Sequence, residues 1–280
     1  NFIYFNIYNN FFYFLSIFAY RYCFRYISSL VELFSRIANI LSPYNFNFIH
    51  LESVDSTMTS IKKFVDKQNI CMLADEQTSG VGRRGNEWVS PKGNIYISFL
   101  IKYDLSIENH FLFSALTANS IIKFLNNYIE ENINIKWPND IIINNKKIAG
   151  IMTEIFDYNN TQYIIIGAGI NILTAPKIVN YQTCSLKNYK DNLNYENVLI
   201  NFIESYCNEF KMMSNKNYDQ ILNFFKNKMS HLGSKINILL PNGDIKEGIL
   251  KNLNLDGSLL VEFAGIEESI FSGRIINDFN

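Results

Sequence analysis

Apolar positions recur along this chain with two periods, and the switches between them mark out its elements. From Ile27 to Leu41, residues Ile27, Leu30, Val31, Phe34, Ile37, Ala38 and Leu41 fall on one helical stripe that Pro43 ends. Phe111 to Leu125 repeats apolar residues at 111, 112, 115, 116, 118, 122 and 125, the spacing of a helix laid on a sheet. Val198, Leu199, Phe202, Ile203, Tyr206, Phe210 and Met213 define a helix from Tyr195 to Met213, and Tyr218 to Met229 defines another. Between these helices the period drops to two. Strands are predicted at Ile70 to Glu76, at Asn94 to Lys102 with Ile95, Ile97, Phe99 and Ile101 on one face, and at Ile133 to Trp137, where Pro138 lacks the N–H to continue a ladder. Ile141 to Ile143 and Ile148 to Phe156 read as a hairpin, with Gln162 to Ile170 as the next strand. After Gly233 the texture changes to short apolar runs and tight turns: Ile236 to Leu240, Ile245 to Leu250, Leu259 to Phe263 and Ile270 to Ser272. The pattern predicts an α+β chain with an extension over 1–43, a main domain over 44–231 and a small β domain over 232–280.

Residues 1 to 26 are dense in Phe, Tyr, Ile and Asn, and Phe11 to Tyr20 is an apolar run broken only by Ser16. That run is about half of the ~20 residues needed to span a bilayer. No basic segment precedes it and no small-residue cleavage site follows it, so a secretory signal is not expected. Two readings stay open: an anchor extended back through Phe2 and held by Arg21 and Arg25, or AT-rich upstream DNA read as protein, since Phe, Tyr, Asn and Ile are all written with A and T alone.

With 280 residues the chain can bury one sizeable core and a small satellite. Its net charge of −1 argues against a nucleic-acid surface spread over the molecule. Cys23, Cys71, Cys184 and Cys207 are widely spaced, with no C-x-x-C pair and no neighbouring histidines to complete a zinc site, so no metal ligands are assigned and reduced thiols in a cytoplasmic protein are expected. A single amphipathic helix before Phe48, without a basic recognition helix, gives no DNA-reading motif.

The chemistry concentrates in Gln77 to Trp88. Gly80, Gly82 and Gly85 fall within six residues, and glycine in a regular element costs roughly 0.5 to 1 kcal/mol relative to alanine, so they are read as serving backbone shape. Such a turn brings N–H groups close to an anion, and Arg83 and Arg84 add two guanidiniums: a phosphate cradle, with Trp88 placed to stack a base. A solvated basic loop is the alternative for a bare Gly-x-Gly. Ser56 and Thr57 lie where Asp55 or Ser56 can cap a helix carrying Met58, Ile61, Phe64 and Val65. Lys136 ends a strand beside the cradle, where an ammonium lowers the repulsion between a carboxylate and a phosphate. Gly150 and Gly169 lie inside strands, as glycines do where a ligand or backbone approaches. Asn171, after the last of these strands, is equally a ligand contact or a turn former.

The glycine-arginine loop, the run Lys136-Trp137-Pro138-Asn139-Asp140, the run Lys147-Ile148-Ala149-Gly150 and the run Gly167-Ala168-Gly169-Ile170-Asn171 occur in the order and spacing of the bacterial biotin protein ligases, which the chain resembles from about Phe48 onward. The resemblance implies a mixed central sheet flanked by helices, like a class II synthetase, with an SH3-like C-terminal barrel. It implies biotin, ATP and Mg2+ as reactants, and biotinyl-AMP as the intermediate. It implies a carboxylase biotin carrier domain as acceptor, with neither DNA nor a membrane as partner and with room for a homodimer. Biotin contacts are implied for Ser56, Thr57, Met58, Gln77, Gly80, Val81, Gly82, Arg83, Lys136, Gly150 and Gly169. Adenylate contacts are implied for Arg83, Arg84, Gly85, Trp88, Lys136 and Asn171, with Lys136 and Arg83 in the catalytic roles. Two positions depart from the pattern: Val81 stands where a basic residue is common, and Asp278 where an ATP-contacting arginine is expected, unless Arg274 substitutes. The rival readings are a lipoate or octanoate transferase of the same fold and a non-catalytic biotin or nucleotide binder. The double arginine with Trp88 and the Lys136 run speak against the first, and the retained cations against the second.

Overall fold

A computed structural model describes residues 17–65, 69–103, 109–178 and 181–276, with side chains described from residue 28 onward. The predicted role of Asp278 lies outside these residues. Helix α1 (Ile17–Leu41) starts ten residues before the predicted Ile27. Its buried stripe is Leu33, Ile37 and Leu41; Leu33 lies off the predicted stripe, and Val31, on it, faces solvent. Phe34 of α1 sits 5.7 Å from the ring of Phe48 and 4.4 Å from that of His50, and Ser29 donates to Glu196, so the helix lies across the sheet edge.

The main sheet has seven strands: β1 (Phe46–Val54), β2 (Asn69–Gln77), β3 (Ile95–Lys102), β4 (Ile133–Lys136), β5 (Asp140–Ile143), β6 (Lys146–Tyr158) and β7 (Thr161–Ile170). Their order is β1-β2-β3-β7-β6-β5-β4, with β1 parallel to β2 and every other pair antiparallel. The mixed sheet flanked by helices is therefore as expected. Strand β1 carried no sequence signal, because as a half-exposed edge strand it lacks a clean apolar alternation.

Side-chain alternation gives the sheet two unlike faces. One is covered by α3 (Phe111–Leu125), α4 (Tyr195–Ser214) and α5 (Tyr218–Lys228), around a core that includes Phe99, Ile164, Ile166, Ile170, Leu116, Phe202 and Phe225. Phe99 and Tyr206 stack with centroids 3.6 Å apart. The other face carries a smaller cluster of Met58, Ile61, Met72, Leu100 and Ile165 and, beside it, a cavity. No described helix is long and apolar enough to cross a membrane.

The C-terminal part is a five-stranded antiparallel sheet of β8 (Lys235–Leu239), β9 (Ile245–Leu253), β10 (Leu259–Phe263), β11 (Ile266–Ile270) and β12 (Arg274–Ile275), ordered β11-β10-β9-β8-β12. The predicted strand Ile270 to Ser272 is corrected: Ile270 ends β11, and the chain then turns into β12. The turn missed by sequence is Ala264-Gly265, whose φ angles of 51° and 85° suit a two-residue hairpin. Trp137 Nε1 donates to the Gly257 carbonyl at 2.8 Å, so this tryptophan joins the two sheets.

Candidate active site

The cavity begins at the short helix α2 (Thr57–Ser60). Ser56 occupies its N-cap position with extended backbone, φ −154° and ψ 135°, yet makes no side-chain cap bond. Asp55 braces the turn from just outside it: its Oδ1 accepts from Ser56 N at 2.7 Å and from Ser60 Oγ at 2.6 Å. The bond from Ser60 leads the causes that hold the Asp55 carboxyl below its usual range. The Ser56 hydroxyl is thereby left buried, without a protein partner, on the cavity wall. Thr57 is tied down differently. Its N–H and Oγ1 donate to Gln77 Oε1 at 2.8 and 3.0 Å, and Ser98 Oγ donates to Thr57 Oγ1 at 2.7 Å. Gln77 Nε2 in turn donates to Ser90 Oγ, which donates to the Trp88 carbonyl. One hydrogen-bonded chain therefore runs from α2 through β2 to the loop.

The floor is glycine. Gly150 of β6 and Gly169 of β7 are directly paired, and the Trp88 indole lies against both. A Cβ on Gly150 would sit 2.9 Å from Trp88 Cζ3, and one on Gly169 would collide with the indole nitrogen edge. Trp88 Nε1 is itself buried without a partner. Two residues along β7, about 7 Å away, Gly167 makes room for Met58.

Within the loop, Trp88 N donates to Gly80 O at 2.8 Å and Gly82 N to Asn86 O at 2.7 Å. The left-handed turn falls to Arg84 (φ 56°) and Gly85 (φ 76°), so the loop's shape rests on an arginine as well as on a glycine. Arg83 lines the cavity and donates to Asn139 Oδ1 at 3.4 Å. Burial and then the charge of Arg84 both work against the Arg83 charge, with Asp140 opposing them; a guanidinium stays protonated nonetheless, and such a site favours an anion. Arg84 points elsewhere, donating to Ser272 Oγ at 2.8 Å in the C-terminal sheet.

Two lysines come to this face of the sheet. Lys136 does not line the cavity. It occupies the row Lys136, Asp140, Gly150, Gly169 across four strands, two strands out from Gly150 and so roughly 10 Å away. Lys147 lines the cavity instead, its Nζ 4.9 Å from the centroid of Trp88, 5.3 Å from that of Tyr181 and 2.7 Å from Asp140 Oδ1. A β-bulge delivers it. Opposite Ile141 and Ile142, β6 pairs Ala149 and Lys147, so Ile148 is the extra residue. Ile148 and Ala149 both turn into the core, and Lys147 returns to the face of Gly150, with its Nζ 3.3 Å from where a Gly150 Cβ would stand.

Of the residues predicted from sequence, the cavity gathers Ser56, Thr57, Met58, Gln77, Val81, Gly82, Arg83, Trp88, Gly150 and Gly169. Gly80, Arg84, Gly85 and Lys136 stand outside its lining, while Lys147, Asn139 and Met152 join it. Asn171 lines an adjoining second cavity with Trp88, Lys147, Pro176, Tyr181 and Thr183. Its Nδ2 donates to the Cys184 carbonyl at 3.0 Å, and its Oδ1 is buried without a partner. Among the described residues no cluster of His, Cys, Asp or Glu is arranged to hold a metal ion.

Residues 50–171 match the model of the Biotin/lipoate A/B protein ligase family. The chain is 31% identical over 128 residues to the Bifunctional ligase/repressor BirA of Bacillus subtilis, a match covering 45% of this chain and 39% of that protein. It thus spans about two fifths of that relative's length. In fold it is similar to the biotin protein ligase from Aquifex aeolicus in complex with biotin and ATP, with a TM-score of 0.68 and 25% identity, covering 82% of this chain and 97% of that one. It is also similar to the biotin protein ligase from Leishmania major in complex with biotinyl-5-AMP, with a TM-score of 0.56 and 27% identity, covering 81% of this chain and 99% of that one. The matched residues 50–171 hold the unpartnered serine, the glycine-arginine loop, the glycine floor and the bulged lysine, so what this chain shares with the biotin/lipoate A/B protein ligase family is the segment that builds the cavity.

Proposed function

We propose that the protein is a biotin protein ligase that activates biotin with ATP to biotinyl-5′-AMP and transfers the biotin to a lysine of a carboxylase biotin carrier domain, in the cytoplasm. The observation that carries this reading is the polarity of the cavity. One end holds an unpartnered hydroxyl, Ser56, beside the Thr57–Gln77 network; the floor is glycine under an indole; the other end holds Arg83 and Lys147. That sequence suits a ligand with a hydrogen-bonding head, an apolar middle and a carboxylate. A ureido head offers N–H and C=O side by side, and a hydroxyl can serve either.

In this reading Lys147 joins Lys136 in the part assigned to a lysine of the site. Its ammonium stands where the biotin carboxylate meets the α-phosphate, lowering the repulsion of two anions and stabilising the charge that grows as pyrophosphate leaves. Arg83 meets the phosphate, and Trp88 with Asn171 forms the nucleotide side. Mg2+ enters with the triphosphate, whose oxygens and water supply most of its ligands. The mixed anhydride is already an activated acyl group, so the acceptor amine attacks it directly and AMP leaves, with no protein nucleophile required. Biotin is favoured over lipoate because the relatives of similar fold were solved with biotin and ATP or with biotinyl-5-AMP. The test is pyrophosphate exchange into ATP, run in parallel with biotin and with lipoate. Exchange with biotin is expected, and exchange with lipoate alone would end the reading.

A further inference from the structure

Asn94, the residue before β3, is completely buried and lines neither cavity. Its side chain is nevertheless the densest hydrogen-bonding point near the site. Oδ1 accepts from three successive backbone N–H groups, Ile172 at 2.8 Å, Leu173 at 3.1 Å and Thr174 at 3.2 Å. Nδ2 donates to Tyr96 Oη and to Thr174 Oγ1, both at 3.1 Å. The Asn94 carbonyl accepts from Tyr195 Oη at 2.9 Å, which fixes the residue against α4. One carboxamide therefore serves as a substitute helix cap for a segment that is not a helix, gathering three successive N–H groups beyond the end of β7, of which Leu173 N is shared with the Gly93 carbonyl at 3.2 Å.

The gathered segment leads to the second cavity. Two residues on, the Pro176 carbonyl accepts from Thr183 Oγ1 at 2.6 Å, and both residues line that cavity. Gln182 and Cys184 flank Thr183 and clasp the main chain of Lys147: Lys147 N donates to Gln182 O, and Cys184 N to Lys147 O, each at 2.9 Å. Leu186 N and Lys187 N close the carbonyls of Asn171 and Ile172. The connection runs from Asn94 to 172–174, to Pro176, to Thr183, and so to the bulge that aims Lys147.

We propose that Asn94 is a positioning residue for nucleotide capture, holding the 172–178 wall and, through 182–184, the Lys147 main chain in register. This rests on the ligase reading. Replacing Asn94 with Ala strands the buried Ile172 N–H, which costs more than a factor of five to leave unpaired, and frees the N–H of Thr174, while Leu173 N keeps the Gly93 carbonyl; the KM for ATP in biotin-dependent exchange should rise about tenfold. Biotin affinity, measured without nucleotide, should fall less, by about threefold at most, because the Ser56 end does not touch this network and only the carboxylate end meets Lys147. Asn94→Asp keeps the acceptor oxygen and should bring the KM for ATP back to within about threefold. Thr174→Val, which removes only one donor's target, should show the same split at about threefold and serves if Asn94→Ala does not fold. Hydrogen exchange of residues 172–178 reads the positioning itself: protection should fall in Asn94→Ala and return in Asn94→Asp. Unchanged protection, or ATP and biotin constants worsening together, overturns the proposal. An unmodified protein without biotin-dependent exchange would sink the ligase reading, while the hydrogen-exchange comparison would still decide whether Asn94 holds the wall.

Discussion

Along β7, Ile164, Ile166 and Ile170 point to the helices and are completely buried, while Gly167 and Gly169 between them point the other way and leave space that Met58 and Trp88 enter. The two faces share one backbone and one ladder, yet one is filled with aliphatic side chains along its length and the other, past Ile165, is cleared of them at Gly167 and Gly169. The helix face contributes stability through volume, as interiors packed to crystal density do. The cavity face contributes function through absence, and its few polar groups are left without protein partners at Ser56 and Trp88. Substitutions on the two faces should therefore fail differently, even one residue apart.

The largest effect is expected on the helix face. Ile166→Ala should cost about 2 to 5 kcal/mol of stability by leaving a cavity, with exchange activity per folded molecule unchanged; chemical denaturation alongside kinetics checks both halves. Next is the bulged lysine. Lys147→Met should lower biotin-dependent exchange by about a hundred- to a thousandfold, the usual loss of ~2.7 to 4 kcal/mol for one transition-state stabiliser, while thermal unfolding barely moves. A folded Lys147→Met protein with near-normal exchange would leave the role to Lys136. Arg83→Gly should still form biotinyl-AMP but release it early, since a lost charge-assisted hydrogen bond of ~1.5 to 3 kcal/mol means roughly ten- to a hundredfold faster escape. Biotin appearing on a bystander albumin reports that release, and no rise over the unmodified enzyme with exchange intact would place Arg83 outside the clamp.

The contrast between faces also explains what the sequence made legible. The helix face announces itself through period: Phe111 to Leu125 and the strand through Ile95, Ile97, Phe99 and Ile101 were read with bounds close to those observed. The glycines of β6 and β7 were visible for the opposite reason, as interruptions of strands. What stayed hidden depends on irregularity or on distant partners. The bulge at Ile148 shifts the alternation by one, so counting back in twos from Gly150 turns Lys147 into the core and leaves Lys136 as the lysine in view. Either Asp55 or Ser56 was expected to cap the helix; that Asp55 instead binds Ser56 N and Ser60 Oγ, leaving the Ser56 hydroxyl to the cavity, is seen only in the folded structure. Asn94 has no local signal at all, because its partners lie about eighty residues on.

Trp137, in the run read first as ligand machinery, is almost wholly buried, and its indole N–H is spent on the carbonyl of Gly257 in the other sheet. Gly257 stands at φ +84° so close to the Phe111 ring that no Cβ fits there. The first residue of α3, the turn after β4 and a tight turn of the small sheet thus meet at one point. Heat should find no weak seam between the two sheets: a single calorimetric transition, rather than a small one before a large one, is the expected melting behaviour of the described residues. The small sheet is then less a passenger on the larger one than part of the same cooperative unit, and loosening its turn at Gly257 would be felt first in the helix layer rather than in the strands beside it.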